Sequence, residues 1–290
     1  MKRISYADRS HLRYLSFAVG FAFLICWPMS GAGAGEKELE PGSPLLHYYF
    51  SKGKHKHDAV WGYTGNQGPE YWGTLSPTYH LAKDGKQQSP IDIATKDTVN
   101  KSLPPLKFNY REENVSAINN GHSIQHNEES GSFLHVGEKV YSLEQYHIHV
   151  PSEHTIDGIH ADAELHFVHK SSSGKVAVVA VMVQADSKDP VNTPLYKVLP
   201  QQAGESVEVD QITRDPMDLI PKDRSYLQYM GSFTTPPCTE GIHWIVMKTP
   251  ISTTPAVVTK FNEVIGGNNR PVQILNGRKV FVTAGTSKAH

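Results

Sequence analysis

Apolar and polar positions along most of the chain follow a period of two or gather into short β-branched runs. "FLHV" (133–136), "AELHFVH" (163–169), "KVAVVAVMVQA" (175–185) and "GIHWIVMKTPI" (241–251) carry the pattern, with Gly, Asn and Pro between them. Such runs predict strands. "SGSFLHVGEKVYSL" (130–143) predicts a hairpin turning near Gly137. Helical periodicity is sparse. It is confined to "NTPLYKVLPQQ" (192–202) and "TTPAVVTKFNEVI" (253–265), the second with Thr254 as N-cap and Pro255 at the first helical position. The expected fold is mainly β (α+β): one domain with a large central twisted, mostly antiparallel sheet and short peripheral helices.

The first 34 residues break this pattern. Lys2, Arg3, Arg9 and Arg13 precede an apolar run from Tyr14 to Trp27, and Ala32-Gly33-Ala34 supplies a small-residue cleavage site. This reads as a secretory signal peptide cut after Ala34, with a periplasmic or secreted product. The run is shorter than the ~20 residues of a spanning helix. Residues 35–59 are polar and include "KGKHKHD"; they read as a mobile segment whose His55 and His57 belong to a solvated charged run. The folded domain is expected over residues 60–290.

Composition then narrows the function. The chain holds 28 basic and 29 acidic side chains; loss of the leader removes four bases and one acid, so the remainder is acidic by four charges. That excludes a phosphate backbone as partner, and no nucleic acid is expected. Cys238 becomes the only cysteine, so no intrachain disulfide forms. It is expected either to pack as a small apolar group or to link two chains of a homodimer.

The candidate chemistry lies in "QYHIHVP" (145–151). In a strand, Gln145, His147 and His149 share one face, and Pro151 ends the pairing or marks an edge. In "AELHFVH", Glu164, His166 and Val168 do the same. If the two strands are neighbours, three imidazoles converge and leave one corner of a tetrahedron open. That is the ligand set of a catalytic zinc site. Gln145 and Glu164 are placed to hold the second ring nitrogens. Spacing alone leaves His154, His160 and His169 as competitors.

These motifs resemble the alpha-class carbonic anhydrases of bacterial type. The likeness runs through "WGYTGNQGPEYW" (61–72), "QSPIDI" (88–93), "NNGHSIQ" (119–125), "QYHIHVPSEHTIDG" (145–158), "AELHFVH" (163–169), "GSFTTPPCTEGIHWIV" (231–246) and "NNRPVQ" (268–273). It implies a zinc ion at the base of a conical cavity, held by His147, His149 and His166. Gln145, Glu164 and the backbone carbonyl of Asn268 would orient these rings. The implied activity is reversible hydration of CO2 to bicarbonate and a proton, by attack of zinc hydroxide. Thr234 and Glu153 would orient the hydroxide. His122 would shuttle the proton through water ordered by Tyr63, Asn120, Gln125 and Thr235. Val168, Val178, Phe233 and Trp244 would wall the CO2 pocket, with Phe233 where the family often carries leucine. Bacterial members commonly pair the cysteine of "TTPPC" with one shortly before "QSPI", where this chain has Ala82. A zinc esterase and a catalytically inactive binding protein of the same family are the alternatives; the full ligand set argues against the second.

Overall fold

The computed structural model describes residues 59–128, 131–188 and 199–283. The expected leader, the segment up to residue 58 and most of the expected 192–202 helix lie outside them. Among the described residues, thirteen strands join one mixed sheet. Six of them build the site: β1 (Ile124–Asn127), β2 (Lys139–His149), β3 (Ala163–Lys170), β4 (Val176–Gln184), β5 (Tyr226–Ser232) and β6 (Glu240–Met247). They lie in the order β1-β2-β3-β4-β6-β5. Every pair is antiparallel except β4 and β6, which run parallel. The expected hairpin is present: Phe133–Val136 pairs with β2 around Gly137, whose φ of 60° suits a residue without a side chain.

β4 explains the longest apolar run. Val178, Ala180 and Met182 face one core cluster, with Val168, Trp244 and Phe233; Ala177, Val179 and Val181 face another, with Tyr146, Phe167 and Ile245. A strand covered on both faces has no polar side to show in its sequence. Each such valine stabilises the fold by roughly 1.5–3 kcal/mol. The one long helix among the described residues, α1 (Pro255–Ile265), buries Val257 and Phe261, one turn apart, in a third cluster. Thr254 occupies the N-cap with extended backbone, but its hydroxyl caps nothing. Gly266 closes the helix at φ 68°, donating its N–H to Asn262 O.

One glycine sets the distance between the sheet and a loop. A Cβ on Gly231, in β5, would overlap Ser89 Oγ and come within 2.8 Å of the Trp244 ring. Only glycine lets the 88–91 segment lie flat against the end of this strand.

Candidate metal centre and its surroundings

The register of neighbouring strands makes the centre. His147 of β2 pairs directly with His166 of β3, and His149 with Glu164. Side chains at alternate positions share a face, so His147, His149 and His166 gather over one patch of sheet. Their ring centroids lie 5.0, 5.3 and 4.6 Å apart. One nitrogen from each ring falls within 4.8 Å of the other two, and no fourth His, Cys, Asp or Glu joins this group among the described residues.

Each ring is turned by an acceptor behind it. His147 Nδ1 donates to Gln145 Oε1 at 2.8 Å, His149 Nδ1 to the Asn268 carbonyl at 2.7 Å, and His166 Nε2 to Glu164 Oε1 at 2.7 Å. These bonds fix the tautomers, so the inward nitrogens carry lone pairs. Burial pushes all three pKa values down, His149 to about 4. The rings are therefore neutral near pH 7. His149 Nε2 is buried and has no hydrogen-bond partner. Leaving such an atom unpaired costs about 1–3 kcal/mol. Three neutral imidazoles converging without an internal donor fit a divalent transition metal, and this donor set with an open position suits zinc.

Behind Glu164 lies a chain of groups that strand periodicity did not reveal. Glu164 Oε1 accepts from both His166 and His154 Nδ1, while its Oε2 accepts from the amides of Glu153 and His154. Burial alone would raise this carboxyl; His154 and His166 hold it well below the usual range. His154 Nε2 then meets Tyr229 Oη at 2.7 Å, and Tyr229 meets Ser89 Oγ at 2.8 Å. His154 thus supports the support of a ligand. Because its nitrogens are already engaged, the cluster of His154, Glu164 and His166 offers no second metal site. His160 is exposed, and His169 bonds Tyr110 on the opposite sheet face.

Glu153 sits over the triad, its Oε2 3.6 Å from His149 Nε2 and 3.9 Å from His166 Nδ1. Burial pushes its carboxyl up to about 7, against the opposing pull of His166, of the Arg270 amide at 2.9 Å and of the Thr234 hydroxyl. Asn268 joins three segments: its side chain accepts from Val150 N and donates to the carbonyls of His122 and Ile148.

A family model for the eukaryotic-type carbonic anhydrases matches residues 67–284. The chain belongs to that family, the alpha carbonic anhydrases. It is 42% identical over 234 residues to a carbonic anhydrase of Neisseria gonorrhoeae, covering 80% of this chain and 91% of that one. It is 40% identical over 224 residues to one of Nostoc sp., covering 76% and 85%. The alpha-carbonic anhydrase of Thermovibrio ammonificans, solved with the inhibitor sulfanilamide, superposes with a TM-score of 0.74 at 42% identity, covering 77% of this chain and 99% of that one.

Within this carbonic anhydrase fold, the wall beside the triad is apolar. Val168, Val178 and Trp244 stand in register across β3, β4 and β6. All three are buried with Phe233 in one cluster. Trp244 packs its ring 4.8 Å from that of His166 and donates Nε1–H to Ser232 O. His122 stands on a turn made by Asn120, whose Oδ1 accepts from the amides of His122 and Ser123. The His122 ring lies flat on Trp61, centroids 3.7 Å apart and planes 9° from parallel. Asn120 Nδ2 donates to Gln125 Oε1, so both residues are partly occupied with each other. Tyr63 packs edge-on against Trp61 and Trp72, and Thr235 is half-buried on the turn after Thr234.

Cys238 takes the first of its two expected places, that of a small packed group. Its sulfur is fully buried, and burial pushes its pKa up to about 12. In this fold that sulfur is not exposed for a bridge to a second chain.

Proposed function

We propose that this carbonic anhydrase hydrates CO2 at a zinc ion held by His147, His149 and His166, with His122 as proton shuttle. The convergence of three neutral, outwardly braced imidazoles carries the reading. Bound there, zinc supplies a Lewis acid that lowers the pKa of water toward about 7, carbonic anhydrase itself being the reference case for that value.

The remaining work falls to the chain. Thr234, giving its proton to Glu153, keeps only lone pairs to offer and so selects an O–H donor as its partner. Glu153 suits that task when ionised, and a cation in the triad lowers its pKa from the value that burial sets. Val168, Val178, Phe233 and Trp244 exclude water from the side where an apolar substrate must lie. His122 carries the proton outward, since imidazole is the side chain suited to both taking and releasing a proton near neutral pH. Trp61, stacked on it, fixes the plane of the ring. We further propose that residues 1–34 direct export, supported by the basic start and the apolar run.

Stopped-flow CO2 hydration by protein carrying one zinc per chain tests the reading. Turnover lost on chelation and restored by zinc is expected; catalysis no faster than buffer would refute it. His122→Ala is expected to slow turnover about 10-fold or more in weak buffer, with partial recovery on adding imidazole. Unchanged kinetics would remove His122 from the mechanism.

A further inference from the structure

Thr234 and Glu153 must meet, yet they come from segments far apart in sequence; the Glu153 amide is held by Glu164, but that bond does not place Thr234. Their separation is set by something else. We propose that Gln88 is a positioning residue for this pair, acting with Arg270; the inference rests on the reading of Thr234 and Glu153 given above.

The connection is continuous. Arg270 donates its amide to Glu153 Oε1 at 2.9 Å. The same residue's guanidinium, fully buried, donates to Gln88 Oε1 at 2.8 Å, to Ser89 O at 2.7 Å and to Ala82 O at 3.0 Å. Gln88 passes the constraint on: its Nε2 donates to Cys238 O at 3.0 Å and to Glu240 Oε1 at 3.1 Å. Cys238 closes the turn after Thr234, donating its amide to Thr235 O. It holds φ 58°, a conformation costly for a residue with a side chain. On the other side of Thr234, Ser89 N donates to Ser232 Oγ and Ser232 N to Ser89 Oγ. Thr234 is therefore gripped from both flanks by residues 88 and 89, and residue 88 is joined through Arg270 to Glu153.

Gln88 suits this place because one planar amide accepts from a cation on one side and donates to a carbonyl on the other. Both bonds are buried, where a lost partner is costly. The glycine nearby is required as well: a Cβ on Gly85 would approach Leu81 O to 2.5 Å and Glu240 Oε1 to 2.6 Å, and would overlap Gln88 Nε2.

A double-mutant cycle tests the proposal. Gln88→Leu removes all three side-chain bonds at similar volume; Gln88→Glu keeps the acceptor for Arg270 but loses the donor to Cys238 O and Glu240 Oε1 and sets a carboxyl against that of Glu240. Each is expected to lower kcat/KM for CO2 about 10- to 100-fold with zinc content unchanged. In a Thr234→Ala background the further loss is expected to be below about twofold, since coupled residues are not additive. In metal-free protein, amide exchange over residues 233–239 is expected to quicken in the Gln88 variants. Equal losses in both backgrounds, or unchanged exchange, would overturn the positioning role alone. An undiminished Thr234→Ala enzyme would remove the reading of Thr234, and this inference with it. If Gln88→Leu does not fold, Gln88→Glu carries the same cycle.

Discussion

His149→Ala is expected to cost the protein its zinc and its CO2 hydration together. The ring's inward nitrogen is buried without a hydrogen-bond partner, and its other nitrogen holds the Asn268 carbonyl. Truncation leaves two imidazoles, an unpaired carbonyl and a void beside the buried Glu153. Loss of an outer partner such as Gln145 typically costs about 10–100-fold in metal affinity, so loss of a ligand should cost about 1000-fold or more. Metal content after dialysis and stopped-flow turnover measure both effects on one sample. His160→Ala, removing a histidine that spacing alone could not exclude, is expected to keep its zinc, because that ring is exposed and bonds the Ser152 carbonyl. A His149→Ala protein that retains one zinc per chain and full turnover would refute the centre.

How much of this was readable from the residues depends on the range of the contact. The β4 run, the turn at Gly137 and the shared face of His147 and His149 are local, and period-two patterning reports them. The convergence of His166 with them needed only that β2 and β3 be neighbours. The direction of a strand leaves no such mark, so the parallel pairing of β4 with β6 was not legible. His154 was less accessible still. It lies outside the regular strands, and its partner Tyr229 is 75 residues away. Arg270 reaches Gln88 across 182 positions. Its complete burial runs against the ordinary exposure of arginine. Thr254 shows the reverse case: the cap position was legible, but the local rule about its side chain failed, since the hydroxyl caps nothing.

Acid is expected to destabilise the fold from about pH 6.5 downward, before ordinary carboxylates titrate. His126 and His169 are buried in the sheet and pushed down to about 3, chiefly by desolvation. Arg214 adds to the depression at His126, while backbone carbonyls oppose it at both residues. His169 is satisfied as a neutral ring: Nδ1 donates to Ala177 O, and Nε2 accepts from Tyr110 Oη at 2.6 Å. In the unfolded chain both rings titrate near 6.5. Between about 6.5 and about 3 the unfolded state binds protons that the folded state refuses, so stability falls as pH falls. The slope is about 1.4 kcal/mol per pH unit for each ring. By pH 4 the two together remove on the order of 5 kcal/mol, comparable to the whole stability of many domains. Glu113 works in the opposite sense over an overlapping window: burial raises it from about 4.5 to about 8, so its contribution is full below about 4.5 and is lost as pH rises through about 8, offsetting about one ring's slope where the windows overlap. Urea unfolding of metal-free protein at pH 7, 6, 5 and 4 measures the acid limb without interference from zinc release. His169→Gln, whose amide can still donate to Ala177 O and accept from Tyr110, is expected to flatten the slope by about 1.4 kcal/mol per unit. Parallel curves for the two proteins would show that the ring at 169 takes up its proton inside the fold, and the account of acid sensitivity would fail at that residue.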